Sequence, residues 1–202
     1  MNIKLKRMVS FLAGLILLSL GISFTILSQL GAGAWDALAV GLSNLTGLTV
    51  GTWVILTGVI LIFVNAVLLK KKPDFIAMVT VLIIGYFIDF WLLIIFPNFV
   101  VDALLMQIIV LLSGVILMGF GISTYLQGKF AVVPIDRLMM AIQFRTKVSL
   151  GVAKTIGEVT ALVLAFLVGG PVGVGTIVVT LSIGPMIQLF FPHLERFVYG
   201  NN

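Results

Sequence analysis

Two charged residues lie inside an otherwise apolar run: Glu158, and Lys154 four positions earlier, on the same face of any helix formed there. Glu158 is nine residues past Ser149, which places it about 14 Å into a bilayer core of ~30 Å. Charge at that depth is expensive. Either the two groups form a satisfied ion pair that ties helices together, or Glu158 is a titratable carboxylate tuned by a movable partner, as a proton- or cation-coupled carrier requires. Lys154 can also snorkel to the cytoplasmic interface, which weakens the pair. Asp89 lies in a second apolar run, eight residues before Pro97. It is either a helix–helix hydrogen-bond acceptor or, facing the amide of Gln188, half of a cation or amine site. Asp36 and Asp136 open two short polar stretches, where a carboxylate caps free N–H groups and complements the helix dipole. If those stretches re-enter the membrane, their ends line a substrate path instead. Thr46, Thr49, Thr146 and Ser149 are helix caps or added oxygen ligands, and Asn65 and Gln107 read as inter-helix hydrogen bonds.

The elements that must position these groups are membrane spans. The 202 residues are 61% hydrophobic and 9% charged, against roughly 25% charged in soluble domains. Apolar runs occupy about 8–30, 50–69, 75–96, 103–127, 149–169 and 172–191, each near the ~20 residues that a spanning helix needs. The short alternating strands of a β-barrel are absent. The first run, behind Lys4, Lys6 and Arg7, imitates a signal peptide, but its copy deep in the chain marks it as a retained span. There is no cysteine, so disulfides and thiolate metal sites are excluded. A lone His193, expected in a short tail after Pro192, leaves no histidine metal site and no catalytic pair, and no cofactor is expected. No HExxH or nucleophile elbow occurs. The glycines at 170, 173 and 175 lack the Lys-Ser/Thr ending of a phosphate loop and read as a tight turn for close packing.

With the N-terminus in the cytoplasm, eleven of the twelve basic residues fall on the cytoplasmic side, the exception being Lys154. The positive-inside rule therefore supports six spans with both termini inside. The net charge of +5 is topology rather than nucleic-acid binding.

The chain also repeats itself. Asp36, Leu38, Thr46 and Gly51 recur without a gap as Asp136, Leu138, Thr146 and Gly151, and Gly14, Gly21, Ile22 and Ser23 as Gly114, Gly121, Ile122 and Ser123. After one deletion, Ile84-Gly85 is echoed by Ile183-Gly184. The repeats cover about 8–97 and 103–192 of a single membrane domain. Each holds three spans, an odd number, so the copies must sit in opposite orientation, the plan of many secondary transporters. Between its first and second spans each repeat has a stretch read as a short helix, 35–45 and 135–145. The first, apolar nearly all round, is expected to dip into the membrane. The second, with Arg137, Gln143 and Arg145, is expected at the interface.

The motifs Gly-x-x-x-Trp35-Asp36-x-Leu38, Leu45-Thr-Gly-Leu-Thr-Val-Gly-Thr-Trp53 and Gly85-x-Phe-Ile-Asp-Phe-Trp91, with Pro134-x-Asp136-x-Leu138-Met139, Arg145-Thr146, Gly151, Lys154, Glu158 and Gly169-Gly-Pro-Val-Gly-x-Gly-Thr176, resemble the YczE/YyaS/YitT group of bacterial integral membrane proteins, most closely its YczE branch. The resemblance spans almost the whole chain and implies a bacterial cytoplasmic-membrane protein. Ala34 departs from it where the group's pattern has proline, as Pro134 does in the second copy, which makes the first turn less rigid.

The expected molecule is an all-α membrane protein of six transmembrane helices in two inverted three-helix repeats, each with an extra short helix. Its expected role is a small-solute or ion carrier working by alternating access, with Glu158 and Asp89 lining a site that Lys154 modulates. The alternative is a non-transporting membrane partner that assembles or stabilises another complex. No enzymatic activity is expected. Expected partners are the lipid bilayer, a small solute or cation, and either a second copy or a membrane protein.

Overall fold

The computed structural model describes residues 2–200. Eight α-helices follow one another: α1 (Ile3–Leu27), α2 (Ala34–Thr46), α3 (Val50–Leu69), α4 (Phe75–Asp89), α5 (Leu104–Leu126), α6 (Pro134–Thr146), α7 (Leu150–Leu167) and α8 (Val174–Tyr199). A π-helical turn, Phe90–Ile95, continues α4. Among the described residues there is no strand. Six helices are long and apolar enough to cross a membrane: α1, α3, α4 with its π-helical turn, α5, α7 and α8. The chain is a multi-pass membrane protein with two additional short helices, α2 and α6.

Local chemistry explains most of the boundaries. Thr49 starts α3 by accepting the Thr52 N–H, and Ser149 starts α7 by accepting the Val152 N–H. The caps read from sequence at Asp36 and Asp136 are not made. The N-cap positions are Gly33 and Val133, neither helix start has a side-chain cap, and the two carboxylates lie inside the first turn. There they still complement the helix dipole. The end of α8 also differs from expectation. The helix passes through Pro185 and Pro192 to Tyr199, so His193 is helical rather than part of a tail. Gln107 donates to the Val101 carbonyl just before its own helix, not across to another.

Backbone geometry recurs along the chain. Left-handed φ values occur at Gln29 and Lys129, at Gly47 and Lys147, and at Lys70 and Gly169. Each pair stands at matching repeat positions, the last after the single deletion. Gly47 and Lys147 both end a short helix this way, and only the first has the residue for which that conformation is cheap.

The core forms where α1 crosses α5. A Cβ built on Gly14 would lie 2.7 Å from the Gly121 carbonyl oxygen, and one on Gly121 2.9 Å from that of Gly14. The corresponding distances for Gly21 and Gly114 are 2.8 and 2.9 Å. Only glycine lets two backbones approach this closely. Gly14 meets Gly121 while Gly21 meets Gly114, so the two helices run antiparallel. Leu15, Leu18, Ile22, Leu111, Val115 and Met118 bury themselves around the crossing.

The short helices reach across to the other half. α2 packs on α7, and α6 packs on α3. The approach of α2 is allowed by glycine, since a Cβ on Gly41 would lie 2.8 Å from the Gly170 nitrogen. The turn at 169–171 therefore serves close packing, as expected. α3 packs along α4, whereas α7 and α8 scarcely touch.

Candidate functional site

Because each short helix folds back toward the middle of the bundle, both begin at a central cavity of about 160 Å³. α2 contributes Trp35 and Asp36, α6 contributes Asp136, and α7 contributes Lys154 and Glu158. Tyr125 of α5 and the hydroxyls of Thr57 and Thr180 add to the polar lining. The remaining wall is mostly apolar and includes Leu18, Ile22, Val179 and Ile183. Four of the six sequence candidates thus meet in one place, drawn from both halves of the chain.

The two aspartates have different surroundings. Asp136 accepts a hydrogen bond from the Tyr125 hydroxyl at 3.1 Å. Burial raises its proton affinity above the ordinary carboxylate range, while the Tyr125 bond and the positive Lys154 pull it back down. Asp36 has no tyrosine opposite it, because position 25 is a threonine whose hydroxyl donates to the Ile22 carbonyl. Among the described residues its carboxylate takes no hydrogen bond. Burial, and then repulsion from Glu158, push its pKa up to about 7. It therefore holds its proton more tightly than an ordinary carboxylate does.

Lys154 and Glu158 face the cavity without a direct salt bridge to each other. Among the described residues the one salt bridge joins Arg137 and Asp74, clamping α6 to the α3–α4 turn. The matching positions in the first half are Val54 and Gly58, also in the cavity wall. Both spanning charges of the site therefore come from the second half. Among the described residues no three His, Cys, Asp or Glu side chains cluster to hold a metal ion.

Asp89 and Gln188 are not part of this cavity, and they do not face each other. Asp89 accepts the Thr49 hydroxyl at 2.6 Å and the Gly51 N–H at 2.7 Å, so it bonds α4 to the start of α3. Gln188 is exposed on α8. Thr46 and Thr146 donate to carbonyls within their own helices. Asn65 donates to the Pro134 carbonyl at 2.9 Å, the cross-helix bond its burial demanded. Sequence reasoning missed Tyr125 and Trp35 as parts of the site. The available signal was positional: Trp35 adjoins Asp36, and Tyr125 replaces the small Thr25 of the other copy.

A solute that fits this chemistry is compact, with an apolar body and a positive or proton-exchanging group. Three carboxyls against one lysine make the cavity negative whenever all ionise.

Comparison with known proteins gives a consistent family. The chain is 41% identical to the uncharacterised protein YyaS of Bacillus subtilis over 189 residues, 94% of each chain. It is 34% identical to the uncharacterised membrane protein YczE of the same organism over 190 residues, 92% of this chain and 86% of YczE. An uncharacterised protein of Haemophilus influenzae is 30% identical over 193 residues, 95% of this chain and 86% of that one. No solved structure matches. The model of a family of unknown function, DUF6198, matches residues 5–192, and the chain belongs to that family.

Proposed function

We propose that this protein is a carrier of a small solute or cation, built as two inverted repeats that rock about the central cavity. The observation that carries the reading is the cavity itself, where Asp36 from one half meets Asp136, Lys154 and Glu158 from the other. Charged groups in a membrane interior mark a pathway by default. Inversion is supported by the reciprocal glycine contacts, since Gly14 on Gly121 and Gly21 on Gly114 is the pattern of a two-fold axis lying across an antiparallel helix pair. The crossed packing of α2 on α7 and α6 on α3 supports the same reading. The charge distribution supports a cytoplasmic position for both termini, and the similarity to YczE, a membrane protein, supports the membrane location.

The test is flux. Purified protein in liposomes, given a proton gradient and a panel of small amines, inorganic cations and neutral solutes, is expected to move at least one of them. Glu158→Gln and Asp36→Asn are expected to abolish movement while leaving a monodisperse, helical protein. A protein that moves none of the panel and co-purifies with one defined membrane complex is an assembly partner instead.

A further inference from the structure

The two halves are alike in sequence register but differ in closure. At the end of the bundle where α3 begins, the seal is tight. The Asp89 carboxylate takes the Thr49 hydroxyl at 2.6 Å and the Gly51 N–H at 2.7 Å. A Cβ built on Gly85 would lie 2.5 Å from the Gly51 carbonyl oxygen. The adjoining loops are knitted together as well: the Ala32 N–H donates to the Pro171 carbonyl at 3.1 Å, and the Gly175 N–H to the Leu30 carbonyl at 2.7 Å.

The corresponding positions at the other end are Ser149, Gly151, Gly184 and Gln188. Among the described residues they make none of these contacts. Ser149 only caps its own helix. Gly151 and Gly184 have nothing within 4 Å of a built Cβ. Gln188 is exposed. The matching loop bond at Ile76 is replaced by a local one, its N–H being taken by Asp74. Gly184 precedes Pro185, where a Cβ would crowd the proline ring, but the glycine at 151 meets nothing that this arrangement requires it to admit. Glycine inside a helix costs stability unless a close approach requires it.

We propose that Thr49, Gly51 and Asp89 form an outer latch, that Ser149, Gly151, Gly184 and Gln188 form an equivalent inner latch, and that the structure is the state with the outer latch shut and the inner one open. This rests on the carrier reading. Transport alternates the two: α8 swings onto α7, Gly184 seats on Gly151, and Gln188 takes the place on Ser149 that Asp89 holds on Thr49. The latches are unequal by chemistry. A carboxylate accepts both donors with its full charge, whereas an amide offers one neutral oxygen. The resting bias toward outer closure follows from that inequality.

The chain has no cysteine, so one introduced at Thr180 in the cavity wall is a clean reporter. In oriented proteoliposomes a membrane-impermeant maleimide is added to one face at a time. Thr180→Cys is expected to label at least roughly tenfold faster from the face bearing Lys70, Lys71 and Lys72 than from the other, in line with one charge-assisted hydrogen bond. Asp89→Asn weakens the outer latch and Gln188→Glu strengthens the inner one. Each is expected to raise labelling from the opposite face by about tenfold. The Cβ of Gly151→Leu meets nothing within 4 Å here, but the side chain blocks Gly184 in the other state, so it is expected to suppress that gain. Preferential labelling of the unmodified background from the opposite face overturns the proposal. So does a ratio unmoved by Gln188→Glu, a surface change that spares the fold. Shifting accessibility with no flux sinks the carrier reading and leaves the latches standing. Flux with accessibility indifferent to both variants sinks the latches alone.

Discussion

Four glycine-to-alanine substitutions are expected to divide by sign. At the α1–α5 crossing, Gly21→Ala and Gly114→Ala each add a methyl that falls 2.8 or 2.9 Å from a facing carbonyl oxygen. Ordinary contact begins near ~3.5 Å, so the helices must part by about half an ångström or more. Overpacking of this kind costs about 1–3 kcal/mol, and alanine's better helix propensity returns about 0.8–1 kcal/mol. The expected net loss is roughly 0.5–2 kcal/mol for each single variant. The second methyl enters a gap the first has already opened, so the double variant should cost less than the two singles added together. At Gly151 and Gly184 a Cβ meets nothing within 4 Å. At Gly151 only the propensity remains, and alanine there should stabilise by about 0.5–1 kcal/mol; at Gly184 the added Cβ also crowds the ring of Pro185, so the gain there should be smaller. Thermal or denaturant unfolding of all five proteins in one detergent, against the unmodified chain, reads both signs. Equal shifts at the two places, or strict additivity at the crossing, would refute the packing argument.

Other expectations follow from the site. Asp36 has a folded pKa raised to about 7 from 3.8, so the folded state holds its proton more tightly than the unfolded chain does. The stability this gives is complete below about pH 4 and is lost as pH rises toward 7. Asp36→Asn should flatten that part of a melting-temperature profile taken from pH 4 to 8. Tyr125→Phe removes the donor that lowers the Asp136 pKa; that carboxyl should titrate higher in NMR, with a stability loss of about 1–2 kcal/mol. The half-buried Arg137–Asp74 pair should show a coupling near 1 kcal/mol in a double-mutant cycle with Arg137→Gln and Asp74→Asn, shrinking as salt is raised. Lys147→Gly relieves a left-handed helix end and should raise stability by about 1 kcal/mol in the same unfolding assay.

Spans and short helices were legible because each carries a local signal. Long apolar runs end in Lys70-Lys71-Lys72-Pro73 or Gly169-Gly170-Pro171, and hydroxyls at 49 and 149 stand where α3 and α7 begin. Placement of Glu158 and Lys154 beside the two aspartates was only partly legible. Helical spacing put the first two on one face, but their meeting with Asp36 depends on α2 crossing to the other half, which no local pattern encodes. Asp89 shows the converse limit. A carboxylate in a span signals function, yet its hydrogen-bond donors sit forty and thirty-eight residues upstream. The misplaced caps have a simple cause: the helices begin three residues earlier than expected, at N-caps Gly33 and Val133, which puts the two carboxylates in the first turn and in the cavity lining.

Val54 and Gly58 facing Lys154 and Glu158 in the register of the duplication have an evolutionary corollary. Two copies of the leading segment, paired as a homodimer, would bring only a pair of aspartates to the centre. Two copies of the trailing segment would crowd six charged groups there, two each of Asp136, Lys154 and Glu158. One polypeptide carrying both segments holds a single set of these charges, so the electric field in the cavity is off-centre.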